Sequence, residues 1–149
     1  MPIVVGVDNS AGSWAAIQLA AHEARCRQTE LVAVTSCRAG RAVAAPAGRA
    51  AGSLRTGAEE HLAAETALRA AVTDALGDGA AGVLTRVVAG PAGKAIVDTA
   101  RAEHAALIVL AARPGLAVLP GSVSQYVLRN AARPVVIVPA NAGEPGAGN

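Results

Sequence analysis

Five short apolar runs rich in β-branched residues are spaced along the chain. They occupy residues 3–7, 31–35, 83–88, 107–110 and 135–138. Several are apolar at every position rather than at alternate positions, which is typical of strands that helices cover on both faces. The pattern therefore predicts five buried strands joined in a parallel sheet.

Four longer segments between these runs have the period of an amphipathic helix. In residues 10–27, Ile17, Ala20, Ala21 and Ala24 lie at i, i+3, i+4 and i+7, and Ser10 or Ser13 is available to cap the first turn. Residues 92–103 follow Pro91, which suits a helix start. Residues 121–130 form the last helical segment, and Pro134 prevents its continuation.

The second helical segment, residues 54–76, is the longest. Its apolar positions are Ala58, Leu62, Leu68, Val72 and Leu76, and Gly77 follows as a stop signal. The preceding residues 39–53 have turn residues and no period, so we expect a long loop there. Residues 141–149 are expected to form a disordered tail after a single domain of residues 1–140.

Strands that alternate with helices predict an α/β fold, an open doubly wound parallel sheet with helices on both faces. Such sheets bind ligands at the carboxyl ends of their strands, where the strand order reverses. We expect strands 1 and 4 to flank that point. Residues 8–10 and 111–124 should then border one crevice.

Composition and charge exclude several classes of partner. The net charge is +2 with charges of both signs dispersed along the chain, and the aromatic content is 1%, so neither a basic stripe nor a stacking platform indicates nucleic-acid binding. No apolar run has the length of a membrane span, and no basic leader precedes the first strand, so the expected location is the cytoplasm. Cys26 and Cys37 have no metal-binding spacing and are expected to be small buried side chains.

Four stretches of the sequence resemble the universal stress protein family in order and spacing. They are VVGVDNSAGSWAAIQLAAHEA, VVAGPAGKAIVDTA, ALIVLAARPG and LPGSVSQYVLRNAARPVVIVPA. The resemblance covers essentially the whole chain. It implies a five-stranded parallel sheet of strand order 3-2-1-4-5 in a small cytoplasmic homodimer. The dimer would form through the edge strand made by Val135, Val136, Ile137 and Val138.

The resemblance also implies a candidate ligand site. Nucleotide-binding members hold ATP with a G-x2-G-x9-G-[S/T] loop before the fourth helix and an Asp after the first strand. Here Asp8 matches that Asp, Gly121 the last glycine and Ser122 the Ser/Thr. The candidate ligand-binding residues are Asp8, Ser10, Ala111, Arg113, Gly121, Ser122, Val123 and Ser124.

The sequence departs from that pattern within the loop. Ala111 and Pro114 occupy the positions of the first two glycines, and Ala111 to Gly121 spans ten positions where the pattern needs thirteen. Glycine allows close backbone approach and positive φ, whereas proline fixes φ and removes an N–H donor. We expect weakened or lost binding of MgATP, while the helix start at Gly121 to Ser124 remains suited to a single phosphate.

Several candidate residues have alternative roles. Asp8 could contact a ligand or cap the turn into the first helix, and Ser122 and Ser124 could bind phosphate or cap their own helix. Arg113 could replace the lost loop donors or be a solvated charge. Trp14 could anchor a partner or be an isolated exposed residue, and Cys37 could have a ligand or redox role near the crevice.

Three classes of function follow. The first is a stress-response regulatory dimer that acts through protein partners. The second is a binder of AMP, ATP or another small metabolite in the crevice, with an adenine nucleotide and Mg²⁺ as the possible cofactor. The third, a slow ATPase, is disfavoured because Asp8 is the only acidic group that we place in the crevice, so we expect no catalytic residues and no metal site.

Overall fold

The computed structural model describes residues 1–8, 10, 12–38, 57–112 and 121–139. In chain order the elements are β1 (Ile3–Gly6), α1 (Gly12–Cys26), β2 (Leu31–Cys37), α2 (Gly57–Leu76), a 3-10 helix (Gly77–Gly82), β3 (Leu84–Ala89), α3 (Ala92–Ala102), β4 (Leu107–Ala111), α4 (Ser122–Asn130) and β5 (Val135–Val138). The predicted α/β alternation is confirmed, with strand ends displaced by one or two residues.

The five strands form one parallel sheet in the order β3-β2-β1-β4-β5, as predicted. β1 is central, with Ile3 paired to Leu31 of β2 and to Leu107 of β4. The chain therefore places β2 and β3 on one side of β1, and then β4 and β5 on the other side. The strand order reverses between β1 and β4, which is where such sheets bind ligands.

The three inner strands, β1, β2 and β4, are largely buried because helices cover both faces of the sheet. Ile3, Val5 and Leu107 pack with α1 and α2, while Val4 and Ile108 pack with α3 and α4, and all five are 5% exposed or less. This arrangement explains why the sequences of the inner strands are almost continuously apolar. The edge strands β3 and β5 are only partly buried.

The helical face predicted for α1 is confirmed, since Ile17, Ala20, Ala21 and Ala24 are all buried. For α2, the predicted apolar face is wrong in the first half of the helix. Leu68 and Val72 are buried, but Ala58 and Leu62 are exposed. α2 has 20 residues and so measures about 30 Å, whereas the seven residues of β2 span about 23 Å. The helix is therefore longer than the strands beneath it.

Other sequence expectations had mixed outcomes. Gly77 has a φ of +56° and ends α2 in the left-handed conformation, as its position predicted. The expectation of buried cysteines was wrong, because Cys26 is exposed and Cys37 is half-buried. The three histidines are exposed. The proposed loop of residues 39–53, Arg113 and the tail of residues 141–149 lie outside the described residues.

No helix of the described ranges combines the length and the hydropathy that a membrane crossing requires.

Candidate functional site

A crevice opens where β1 and β4 end and α4 begins. Asp8 follows β1, Ala111 is the last residue of β4, and Gly121, Val123 and Ser124 belong to the start of α4. All five line one cavity of about 80 Å³. The structure thus brings together most of the predicted ligand-binding residues. Ser10 and Ser122 lie beside the cavity in sequence but do not line it.

The floor of this crevice is apolar and tightly packed. Ile96 of α3, Leu110 of β4 and Gly6 of β1 line the cavity. A Cβ atom on Gly6 would lie 2.7 Å from Ile96 Cδ1 and 2.8 Å from Leu110 Cδ2. A side chain at residue 6 would force the ends of the Ile96 and Leu110 side chains to shift, so the backbone of β1 lies close to them at Gly6.

Asp8 holds the turn between β1 and α1. Its Oδ1 accepts a hydrogen bond from the Ser10 backbone N–H at 2.8 Å, from the Ser10 hydroxyl, and from the Ser13 hydroxyl at 2.8 Å. The Ser13 hydroxyl oxygen in turn accepts from the Asp8 N–H at 3.0 Å. One carboxylate oxygen thus organises the first turn, which supports the structural role that the sequence left open for Asp8.

Replacement of Asp8 by alanine is expected to lower the free energy of unfolding by about 1 kcal/mol, the usual cost of losing a side-chain cap. Urea denaturation of the ligand-free protein measures the change. Asp78→Ala is the matched control, since it removes the same charge from an exposed position. Equal stability of the Asp8 variant and the control would contradict the capping role and leave only a ligand role.

The start of α4 lies at the crevice and supplies backbone N–H groups there. Gly121 is the N-cap residue, with extended backbone, and it provides no side-chain hydrogen bond to the helix. The first intrahelical bond runs from the Gln125 N–H to the Gly121 carbonyl at 2.9 Å, so the N–H groups of residues 122–124 precede the helical ladder. Ser124 is 5% exposed and lines the cavity, whereas Ser122 is exposed. The N-terminus of α4 can therefore bind one anionic group.

A larger cavity of about 520 Å³ adjoins the crevice at Val7, which lines both. Cys37 and Arg38 line it from the end of β2, and Glu60 lines it from α2. The sequence reading missed Glu60 as a residue near the crevice. The available signal was the i, i+3, i+4, i+7 spacing of Glu60, Ala63, Ala64 and Ala67, which all line this cavity.

Two further residues make intramolecular contacts instead of lining the crevice. The Trp14 ring is 39% exposed, and its indole N–H donates to the Asp74 carbonyl of α2 at 3.3 Å. Lys94 lies on the exposed face of α3, where its Nζ is 2.5 Å from Asp98 Oδ2. The hydrogen bond from Lys94 to Asp98 raises the pKa of the lysine. Trp14 thus links α1 to α2, whereas Lys94 pairs with Asp98 of its own helix.

The charges at the crevice determine its chemistry. No Lys or Arg of the described ranges lines the 80 Å³ cavity, which contains the Asp8 carboxylate. In the same ranges, no three His, Cys, Asp or Glu side chains are grouped closely enough to hold a metal ion. The attraction for an anion there comes from the N-terminus of α4, which contributes about 0.3–1 kcal/mol.

Comparison with known proteins gives a consistent result. The family model described as Universal stress protein family matches residues 1–139. A universal stress protein solved in complex with cAMP is 26% identical, with 94% of this chain and 97% of that chain covered and a TM-score of 0.68. The universal stress protein of Archaeoglobus fulgidus in complex with dAMP is 25% identical, with 93% of this chain and 97% of that chain covered and a TM-score of 0.59. No curated protein matches the sequence.

Proposed function

The chain belongs to the universal stress protein family, and from this premise we propose that it is a stress-response regulatory homodimer that acts through protein partners, with MgATP binding weakened or lost. Two similar proteins were solved in complex with an adenine nucleotide. The residues of the crevice therefore decide whether this chain is suited to bind MgATP.

The main observation against MgATP binding is the small volume of the cavity in the crevice. The cavity between Asp8 and the start of α4 measures about 80 Å³, well below the roughly 300 Å³ at which pockets for drug-sized ligands begin. Among the described residues its lining offers no cation for the several negative charges of a triphosphate, and Asp8 adds a charge of the same sign. In sequence, Ala111 replaces a glycine, and the span to Gly121 is three positions short.

The proposed dimer is supported by the state of β5. It is an edge strand that pairs only with β4 in the described structure, and its sequence is VVIV. Val136 is 36% exposed, and Leu128 of the neighbouring α4 is 48% exposed. An unprotected apolar edge strand readily pairs with another chain. We therefore place the homodimer contact at Val135, Val136, Ile137 and Val138.

Binding of an adenine monophosphate is the second candidate function. The solved complexes of two similar proteins contain cAMP and dAMP. The 520 Å³ cavity beside Val7 has room for a nucleoside, and the start of α4 is suited to one phosphate. In this alternative the crevice retains the nucleoside and the first phosphate and has lost the space for the outer phosphates.

Calorimetric titration with MgATP and then with AMP tests both candidates. We expect no measurable heat from MgATP. Heat from AMP alone supports the monophosphate binder, and the absence of heat from both ligands supports the nucleotide-independent regulator. A micromolar or tighter constant for MgATP contradicts the proposal.

A variant at Gly121 locates any binding that is found. Gly121→Asp places a carboxylate at the N-cap of α4, where Asp is a favoured residue and where the φ of −63° suits any side chain. We expect stability to be retained and AMP binding to be lost, because the new charge repels the phosphate. Unchanged AMP affinity in a folded Gly121→Asp protein would show that the phosphate binds elsewhere.

A further inference from the structure

A separate cavity of about 140 Å³ lies at the opposite end of the sheet from the crevice. It is bounded by the C-terminal parts of α3 and α4 and by the amino ends of β4 and β5. We call it the amino-end cavity and define it by Val97, Ala100, Arg101, His104, Ile108 and Arg133, which line it with the short segment of residues 130–132.

The polar side chains that line the amino-end cavity are mostly cationic or donor groups. Arg101, His104, Arg133 and the amide of Asn130 line it, and no Asp or Glu of the described ranges does. The side chains of His104 and Arg133 form no hydrogen bond or ion pair with any residue of the described ranges. Arg101 has one long ion pair, 3.8 Å to Asp98 Oδ1, and the other oxygen of that carboxylate is held by Lys94 at 2.5 Å. The cavity thus has an excess of positive charge and unused donors.

Capping of the adjacent helix does not account for these donors. The carbonyl oxygens of Thr99, Ala100 and Arg101 at the end of α3 accept backbone N–H groups from residues 103–105, at 2.9 to 3.2 Å. Arg101 lies in the last turn of α3 and stabilises the helix dipole from there. His104 and Arg133 lie beyond the helices, so neither the dipole nor the terminal carbonyls of α3 require them.

The remaining lining is apolar. Val97 and Ala100 of α3 and Ile108 of β4 form the inner wall and are 5% exposed or less. A ligand that satisfies both parts of the lining has an anionic group for the guanidinium groups and a short apolar chain for the wall. The volume of about 140 Å³ is below the range of nucleotide-sized pockets, which begins at roughly 300 Å³.

We propose that the amino-end cavity binds a small organic anion, a carboxylate or phosphate monoester with a short aliphatic chain. The planar guanidinium of Arg133 binds either head group through two parallel N–H donors. This site is remote from the crevice and does not depend on nucleotide binding there.

Backbone amide shifts in a nuclear magnetic resonance titration test the proposal. Butyrate and butyl phosphate are the probes, inorganic phosphate tests the head group alone, and butanol tests the chain alone. We expect saturable shifts at Val97, Arg101, His104 and Arg133 with at least one of the two anionic butyl probes and no saturation with butanol. Preference between the two probes then identifies the head group. Absence of saturable shifts at these residues with both anionic probes would overturn the proposal.

Two matched variants separate a specific site from general attraction. Arg133→Gln is expected to weaken binding of the preferred probe by about tenfold, the effect of losing one charged hydrogen-bond donor. Arg129→Gln removes the same charge from the exposed end of α4, outside the cavity lining, and is expected to leave the affinity unchanged. Equal weakening by both substitutions would overturn the proposal, because nonspecific charge would then explain the binding.

Discussion

Replacement of Val136 by lysine is expected to convert the proposed dimer to a monomer, with the dissociation constant raised about a hundredfold or more. Val136 lies on the edge strand β5 and is 36% exposed in the single chain. In a twofold-symmetric contact through β5 each interface contains the substitution twice. An ammonium group buried without a partner costs several kcal/mol, which outweighs the gain from burying the remaining valines.

Sedimentation equilibrium of the wild type and the variant measures this change. Leu62→Lys is the control, since Leu62 is also an exposed apolar residue, at 63%, but lies on α2 away from β5. It is expected to remain dimeric, and circular dichroism should show both variants folded. A dimer that persists in Val136→Lys, or a wild type that is monomeric, would refute a contact through β5.

The fold was predictable because several independent patterns agree. Continuous apolar strands indicated cover on both faces, and the short strands and long helices alternate without exception in the sequence. The order of the strands came from the family resemblance, since periodicity specifies elements and not their neighbours. The burial of Ile17 and Ala20 followed from spacing alone, because α1 lies over the sheet along its length.

The first half of α2 was predicted incorrectly for a geometric reason. The predicted apolar positions of α2 do not share one face, because Leu62 precedes Leu68 by six residues and so lies about 120° from it around the helix. Leu62 is therefore exposed, while Glu60 and Ala64, nearer the face of Leu68, line the larger cavity.

The candidate site was predictable only in part, because the sequence indicates the topology of the sheet but not the local conformation around the site. Asp8 and Gly121 follow two neighbouring strands and precede two helices, so topology alone places them together. The neighbouring cavity depends on the overhang of α2, and the hydrogen bonds of Asp8 depend on the conformation of its turn. Neither is encoded by spacing along the chain.

Gly93→Ala is expected to lower the free energy of unfolding by about 1–3 kcal/mol, the usual cost of overpacking. In most helix interiors a protein with alanine is more stable than one with glycine, by roughly 0.5–1 kcal/mol. At Gly93, however, a Cβ would lie 2.9 to 3.0 Å from the Cδ1, Cβ and Cγ atoms of Tyr126. The Cβ atom of Tyr126 is fixed to the backbone of α4, so relief requires the two helices to separate.

Thermal and urea unfolding of Gly93→Ala and of the control Gly79→Ala measure the effect. The nearest atom to a Cβ on Gly79 is Leu76 Cβ at 3.6 Å, so that variant is expected within about 0.5 kcal/mol of the wild type. Tyr126→Ala should reduce the additional cost of Gly93→Ala, because it removes two of the three crowded atoms.

Separation of α3 from α4 also displaces the start of α4, one turn before Tyr126. Any phosphate affinity of the crevice should therefore fall together with the stability. A neutral Gly93→Ala would mean that α4 adjusts freely on α3 and that its N-terminus is positioned by β4 and β5 instead.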